Sequence, residues 1–235
     1  MNKKVTSNRK KSNQESFDYD LLVIGSGPAG VAAAVQAAKL DKKVAIIEKT
    51  PDRIGGSWLH TGTIPSKTMR EVLAAIQNVK SHVGRHWVNR LVHSLSTNHL
   101  LHRAQSVSQD EENLVRGHLE NNNVKIIEGT GRIEDSNCLR IISSDDQSSL
   151  LTTDKIMIAT GSKPRRPPDI PFDGWRVVDS DDILKLETVP NSLVIFGAGV
   201  IGCEYACIFG ALGVETTIVD ARSLIMQTID QEVTS

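Results

Sequence analysis

Two glycine-rich segments have the residue types and spacing that bind the phosphates of a dinucleotide. The first reads Gly-Ser-Gly-Pro-Ala-Gly over residues 25–30, and the second reads Gly-Ala-Gly-Val-Ile-Gly over residues 197–202. In such a turn the first glycine permits a sharp bend, the second lets the backbone approach a pyrophosphate, and the third lets helix and strand pack closely. The helix that follows offers unpaired N–H groups and a partial positive charge to the phosphates. Each segment therefore predicts a dinucleotide site.

The predicted phosphate-binding residues belong to these two turns and to the first residues of the helices behind them. They are Gly25, Ser26, Gly27, Pro28, Ala29 and Gly30 in the first turn, and Gly197, Gly199, Val200, Ile201 and Gly202 in the second.

An acidic residue follows each turn at the same interval, Glu48 after Gly25 and Asp220 after Gly197. An acid at the end of the second strand can accept a hydrogen bond from a ribose hydroxyl. Asp220 on its own favours NAD, because its charge would repel the 2′-phosphate of NADP. Arg222 could offset that repulsion and pair with the phosphate, so the sequence leaves the choice of nucleotide open. Lys49, next to Glu48, belongs to the same predicted ribose region.

The elements that must hold these turns are apolar strands and a helix in the order strand, turn, helix, strand. Apolar runs at residues 21–24 and 44–47 flank the first helix pattern, and runs at 193–196 and 216–219 flank the second. The apolar stretches 21–40 and 193–214 are also long enough to span a bilayer. Because glycines interrupt both near their start, we expect a buried strand and a buried helix in each. The fold class predicted is α/β, with two Rossmann-like domains, each built on a parallel sheet.

Composition excludes several other classes. The chain has 235 residues, of which 39% are hydrophobic and 23% charged, which is typical of a soluble globular protein. A formal net charge of −1 gives no general attraction for nucleic acid. The 3 cysteines form no Cys-x-x-Cys pair, which favours a reducing, cytoplasmic compartment. No metal-ligand spacing is present, so no metal site is predicted. No membrane partner is predicted either, because glycines interrupt both long apolar stretches.

The segment between the two turns carries a family resemblance. Residues 55–67 read Gly-Gly-Ser-Trp-Leu-His-Thr-Gly-Thr-Ile-Pro-Ser-Lys, and residues 155–161 read Lys-Ile-Met-Ile-Ala-Thr-Gly. From Asp20 to its end, the chain resembles the class I pyridine nucleotide–disulfide oxidoreductases, in which the first pattern is GGxCxxxGCxPSK. The resemblance implies FAD in the first turn and NAD(P)H, as substrate, in the second.

The resemblance also implies roles for particular residues. Lys67 and Glu204 are implied to be catalytic and to form an ion pair beside the flavin and the nicotinamide. A buried charge is tolerated when it is partnered, and a positive charge there stabilises electron density on the reduced ring. The further residues implied to bind cofactor are Gly56, Ser57, Thr63, Gly131, Ala159, Thr160 and Gly161, together with Lys67 itself.

The chain departs from the family pattern at both redox cysteines, where it has Trp58 and Thr63. A thiolate is needed to exchange with a disulfide, so disulfide reduction through this pair is excluded. Threonine at the second position, in the run from His60 to Lys67, resembles the soluble transhydrogenase branch of the family. That resemblance implies hydride transfer from NADPH through FAD to NAD⁺. Two alternatives stay open: a non-catalytic nucleotide-binding fragment, and a disulfide reductase that takes a thiol from outside this chain.

We expect four regions along the chain. They are a basic disordered tail at 1–16, an FAD-binding domain at 17–163, a connector at 164–190, and the first strand–helix–strand unit of an NAD(P)-binding domain at 191–235. A nucleic-acid or membrane arm is the alternative for the tail. Family members are longer and are implied to be homo-oligomers, so both domains are expected to be incomplete here. The chain alone is then expected to bind FAD weakly or to aggregate.

Overall fold

A computed structural model describes residues 17–83, 97–227, 229–230 and 232. The predicted tail at 1–16 lies outside the described residues. Within them, a large unit contains the first glycine turn and a smaller unit contains the second. The predicted α/β class with Rossmann-like units is confirmed.

The large unit is built on one sheet of six strands in the order β3-β2-β1-β6-β5-β4. Strand β1 is parallel to both of its neighbours, and Ile24 at its end lies opposite Ile47 of β2 and Ile158 of β6. Strands β4, β5 and β6 pair antiparallel. The strands are β1 Tyr19–Ile24, β2 Val44–Glu48, β3 Lys125–Glu128, β4 Thr130–Asp135, β5 Cys138–Ile142 and β6 Ser148–Ile158.

Both faces of the parallel strands are covered, which is why their sequences are almost wholly apolar. Successive side chains point to opposite faces, and Leu22 and Val23 are each 0% exposed. Val23 packs among residues of the helical side, and Leu22 packs with Leu139 and Ile141 of β5. The helices of this unit are α1 Pro28–Ala38, α2 Ser57–His60, α3 Thr63–Val83 and α4 Thr97–Asn121.

The small unit has two parallel strands joined by one helix. Strand β7 (Ser192–Phe196) pairs with β8 (Glu215–Val219), and helix α5 (Val200–Ala211) connects them. The two apolar stretches that were long enough for a bilayer thus each form a strand and a helix, as predicted. The expected burial of the strand is wrong for β7, which has no buried residue and whose Phe196 is 84% exposed. Strand β7 has one neighbouring strand where β1 has two, so it is less well covered. In the part of the chain that the structure describes, no helix has both the length and the apolar character to cross a membrane.

The small unit packs on the large one through a shared hydrophobic cluster. Met69 and Leu73 of α3 lie in this cluster with Tyr205 and Phe209 of α5, and all are at most 5% exposed. Ile183, on a short 3-10 turn at Ile183–Lys185, completes the contact. The units that contain the two glycine turns are therefore held relative to one another by side-chain packing.

Ion pairs fold the predicted connector back on itself. Arg166 donates through Nε to Asp179 at 2.7 Å and through Nη2 to Asp182, and Lys185 Nζ lies 3.0 Å from Asp182. These bonds bring the two ends of the segment 166–185 together, so the 3-10 turn reaches the shared cluster. The boundaries at 164 and 190 remain predictions.

Two glycines of α5 allow a matched test of the packing. A Cβ on Gly202 would lie 2.0 Å from the carbonyl oxygen of Gly197, whereas a Cβ on Gly210 would meet nothing within 4 Å. We expect Gly202→Ala to lower the free energy of unfolding by about 1 to 3 kcal/mol, because the helix must move off the turn. Gly210→Ala should leave it unchanged or raise it by up to about 1 kcal/mol. Urea unfolding followed by circular dichroism measures both, and equal losses in the two variants would contradict the account.

Candidate functional site

The first glycine turn lies where the strand order of the sheet reverses. Gly25, with a φ of +102°, follows β1, and Ala159 follows the neighbouring strand β6. The N–H of Ala159 donates to the carbonyl of Ile24 at 2.8 Å, and a Cβ on Gly25 would lie 2.4 Å from the Ala159 carbonyl oxygen. In open α/β sheets, ligands bind outside the carboxyl ends of strands at such a reversal.

The turn is open where a phosphate would approach and closed where the helix packs. A Cβ on Gly27 would meet nothing within 4 Å, whereas one on Gly30 would lie 2.1 Å from the Gly25 carbonyl oxygen. Helix α1 begins directly after Gly27, and no side chain caps it. Its first N–H groups have no partner within the helix and face the open side. The geometry fits a pyrophosphate.

The second turn repeats this arrangement. Gly197 has a φ of +111°, and a Cβ on Gly199 would again meet nothing within 4 Å. Gly199 precedes α5, which also has no side-chain cap. Helix α5 begins with Val200 where α1 begins with Pro28, so the second turn offers one more N–H group to a ligand.

A carboxylate ties each turn to the end of its second strand. Glu48 Oε2 accepts the N–H of Ser26 at 3.0 Å and its hydroxyl at 2.6 Å, and Ser26 is 0% exposed. Asp220 Oδ2 accepts the N–H of Ala198 at 2.6 Å. Each acid therefore shapes its turn, a role that the sequence analysis did not predict.

Arg222 donates three hydrogen bonds to Asp220. Its Nε donates to Asp220 Oδ1 at 2.9 Å, its Nη2 donates to Oδ2 at 2.7 Å, and its backbone N–H donates to Oδ1 at 2.8 Å. The Arg222 side chain, followed by the N–H groups of Ala198 and Arg222, holds the pKa of Asp220 well below its usual range. The carboxylate is therefore charged at any physiological pH.

Further predicted cofactor-binding residues surround the first turn. Gly56, with a φ of +75°, begins α2, and a Cβ on it would lie 2.8 Å from the Cα of Gly27. A Cβ on Gly131, in β4, would lie 3.4 Å from a methyl group of Ile47 and 3.5 Å from one of Ile24. Three more residues lie just beyond strand ends: Lys49 directly after β2, and Thr160 and Gly161 two and three residues after β6.

A cleft of about 790 Å³ separates α3 from α5. Its lining includes six of the predicted site residues and also residues 162–164, where the predicted FAD-binding domain meets the connector. The predicted residues in its lining are Ser57, Thr63, Lys67, Val200, Ile201 and Glu204.

The implied ion pair between Lys67 and Glu204 is not present among the described residues. Lys67 Nζ instead lies 3.9 Å from Glu71 Oε1, and each of these side chains is 68% exposed. Residues four apart on a helix are neighbours, so Glu71 is within reach of Lys67, whereas Glu204 is on the other helix of the cleft. The structure therefore brings Lys67 and Glu204 into one cleft without joining them.

Tyr205 follows Glu204 and is 5% exposed. Its hydroxyl is buried and has no hydrogen-bond partner among the described residues. Burial, and then the charges of Glu204 and Asp181, raise the pKa of Tyr205, so the phenol stays protonated. A buried hydroxyl without a partner is uncommon and lowers stability.

A buried polar network behind the cleft holds α2 in place. His60 Nε2 lies 3.1 Å from the carbonyl oxygen of Ile54 and 3.6 Å from Glu112 Oε2. Glu112 is 3% exposed and accepts Arg116 Nη2 at 3.2 Å. Ser108 donates to the carbonyl of Leu59 at 2.6 Å. The sequence analysis missed this network, although positions 108, 112 and 116 have the spacing of one helix face.

The three cysteines are free: Cys203 is buried, Cys207 is exposed and Cys138 is half-buried. No cysteine is among the described residues that line the cleft. Trp58 and Thr63, at the two positions where the family pattern has cysteine, lie in α2 and at the start of α3.

Comparisons with known proteins agree on one family. Residues 19–235 match the family described as pyridine nucleotide-disulphide oxidoreductase. A soluble pyridine nucleotide transhydrogenase of Colwellia psychrerythraea is 41% identical over 219 residues, which is 93% of this chain and 47% of the relative. One from Mycobacterium bovis is 42% identical over 220 residues, which is 92% of this chain and 46% of the relative. This chain thus spans about half the length of these curated relatives.

Solved structures give the same fold. LpdA from Mycobacterium tuberculosis superposes with a TM-score of 0.78 at 27% identity, covering 88% of this chain and 46% of that one. The HOCl-induced flavoprotein disulfide reductase RclA from Escherichia coli superposes with a TM-score of 0.72 at 29% identity, covering 92% and 45%.

Tyr205→Phe tests whether the buried hydroxyl forms a bond that the fold needs. We expect the variant to unfold with the same free energy as the parent, or with about 1 kcal/mol more, because no protein hydrogen bond is lost and a buried polar group is removed. Urea unfolding gives the difference, and Tyr19→Phe in β1 is the matched control. A loss of more than about 1 kcal/mol in Tyr205→Phe alone would show that the hydroxyl has a partner.

Proposed function

This chain belongs to the pyridine nucleotide-disulphide oxidoreductase family, and we propose that it acts as part of an FAD-dependent transhydrogenase. In this proposal the first turn binds FAD, and the second turn binds NADPH and then NAD⁺. The chemistry that FAD supplies when bound is the carriage of a hydride equivalent between the two nicotinamides. The relatives at 41% and 42% identity are named for that reaction.

The cleft between the two units is the observation that carries the proposal. The units that carry the two open glycine turns pack on one another through the shared cluster, and the cleft between them has Lys67 on one helix and Glu204 on the other. Val200 and Ile201, at the start of the helix behind the second turn, line the same cleft. A nicotinamide that extends from that turn would therefore enter the space that Lys67 faces.

The first turn passes a test for FAD on its own geometry. The space over Gly27 is free, Ser26 and Glu48 hold the turn in shape, and Gly56 brings α2 within contact of Gly27. The N–H groups of α1 would hold the pyrophosphate, and the remaining acceptor position of Glu48 would receive a ribose hydroxyl. Ala159, Thr160 and Gly161 are proposed to contact the cofactor because β6 ends beside this turn, and Gly131 because the start of β4 lies against Ile24.

Lys67 and Glu204 are proposed to act on the reacting rings from opposite walls. The ammonium group of Lys67 places a positive charge in the cleft, 3.9 Å from Glu71 Oε1. A positive charge at this position stabilises electron density that develops on a flavin. Glu204 offers a carboxylate to the donor groups of a ligand, and the hydroxyl of Tyr205 lies buried beside it.

The lack of thiols favours direct transfer over disulfide reduction. Exchange with a disulfide needs a thiolate, and Trp58 and Thr63 provide none. Cys203 and Cys207 are on α5, where one is buried and neither lines the cleft. Direct transfer between flavin and nicotinamide is the route that the residues of this chain support.

Anaerobic stopped-flow mixing tests the proposal and the role of Lys67. With FAD in excess over the chain, NADPH should bleach the absorbance of the protein-bound flavin, and NAD⁺ should restore it. Lys67→Met should slow the bleaching at least about tenfold, as expected for the loss of one charge-assisted interaction. Lys155→Met is the control, because Lys155 is 74% exposed on β6 and lies outside the cleft lining.

The alternatives give different results in the same experiment. Inhibition by arsenite that is added after reduction with NADPH would point to a thiol-dependent disulfide reductase. Binding of both nucleotides without bleaching would point to a fragment that binds nucleotides without turnover.

A further inference from the structure

We propose that Arg222 removes Asp220 from ribose recognition and makes the second turn select nucleotides with a 2′-phosphate. The inference rests on the proposed function, since it concerns which nucleotide the second turn prefers. The sequence analysis leaves that choice open, because Asp220 favours NAD whereas Arg222 favours NADP. The structure shows how the two side chains combine.

The acceptor positions of Asp220 are all in use. A carboxylate can accept about four hydrogen bonds, two on each oxygen. Oδ1 accepts the backbone N–H of Arg222 at 2.8 Å and its Nε–H at 2.9 Å. Oδ2 accepts the N–H of Ala198 at 2.6 Å and Nη2–H of Arg222 at 2.7 Å. A ribose hydroxyl that approaches Asp220 therefore finds no free acceptor while Arg222 stays in place.

Glu48, at the same position of the first unit, differs in this respect. Its Oε2 accepts the N–H and the hydroxyl of Ser26, but among the described residues its Oε1 accepts only the N–H of Thr50, at 3.0 Å. One acceptor position of Glu48 remains for a ribose hydroxyl. The two units thus share the acid and the turn, and Arg222 occupies the acceptor positions of Asp220 that the N–H of Ala198 leaves open.

Arg222 keeps donors to spare after it has filled Asp220. A guanidinium has five N–H groups, and this fork uses Nε–H and one Nη2–H. No acceptor contacts Nη1 within the described ranges, and the Arg222 side chain is 47% exposed. A phosphate can therefore dock on Nη1 and Nη2 while the fork on Asp220 remains. Because the pair is neutral overall, the carboxylate no longer repels the phosphate as a lone acid would.

The same geometry still allows a nucleotide without the phosphate to bind, at a cost. A ribose hydroxyl gains Asp220 as an acceptor only when part of the fork opens, and the Arg222 side chain, which is 47% exposed, can move off the carboxylate. The second turn should therefore accept both nucleotides and prefer the phosphorylated one.

Calorimetric titration with the two adenosine halves tests this preference without requiring turnover. The full chain, kept in excess FAD so that the first turn is occupied, is titrated with 2′,5′-ADP and separately with 5′-ADP. We expect tighter binding of 2′,5′-ADP to the parent chain. Arg222→Ala should weaken 2′,5′-ADP binding by about tenfold or more, the loss expected for hydrogen bonds to a charged group. Binding of 5′-ADP should be unchanged or tighter, because Asp220 is released.

Two further variants make the result specific. Arg222→Lys keeps the charge but cannot fork both oxygens, so it should retain part of the 2′,5′-ADP affinity and tighten 5′-ADP. Arg176→Ala removes the same charge at an arginine that stacks on Trp175, and should change neither affinity. If both probes bind and Arg222→Ala leaves their ratio unchanged, the inference is wrong while the proposed function stands. If neither probe binds the parent chain, the proposed nucleotide role of the second turn fails.

Discussion

The approach of each helix to the glycine turn before it is the constraint on which the rest of the structure depends. A side chain on Gly30 or Gly202 would lie 2.1 Å or 2.0 Å from the carbonyl oxygen of Gly25 or Gly197. Only a glycine lets the first helical turn sit this low against the strand end, and only then do its N–H groups point into the space over the middle glycine. The open space over the middle glycine and the close packing of the helix therefore have the same cause, the backbone conformation of the glycine turn.

Two carboxylates then determine what the glycine turns can bind. The shared hydrophobic cluster determines how the two units are placed relative to one another. Glu48 and Asp220 fasten the turns from the ends of the adjacent strands. The cluster around Met69 and Phe209 fixes α5 against α3, so the cleft with Lys67 and Glu204 on its two walls forms where the units meet. Residues far from any ligand therefore determine the spacing of the groups proposed to act on it.

The sequence predicted what depends on local order along the chain. The strands at 21–24, 44–47, 193–196 and 216–219 are present and each is longer by one or two residues, because glycine turns and apolar runs mark them directly. The contents of the site were harder to predict, since they depend on which side chains meet in space. The fork of Arg222 on Asp220 is one example, because spacing two residues apart does not specify a bond.

Lys67 and His60 show the same limit. The family pattern implied that Lys67 pairs with Glu204, but the nearer carboxylate of Glu71, one helical turn along α3, takes that place. His60 belongs to a matched pattern, yet its partner Glu112 lies in a helix that no motif marks. The partner of His60 follows from tertiary packing, whereas Lys67 takes a local partner because Glu204 lies on the other helix of the cleft. A sequence motif does not specify the distances between secondary-structure elements.

A measurement of how many nucleotide sites the chain has, and whether they are independent, tests the central claim most directly. Equilibrium dialysis of the full chain against labelled FAD and NADP⁺, separately and together, would count them. The account predicts one FAD and one NADP⁺ per chain at saturation, with neither displacing the other. A single site for which the two nucleotides compete, or no saturable binding of NADP⁺, would contradict the presence of two working cradles.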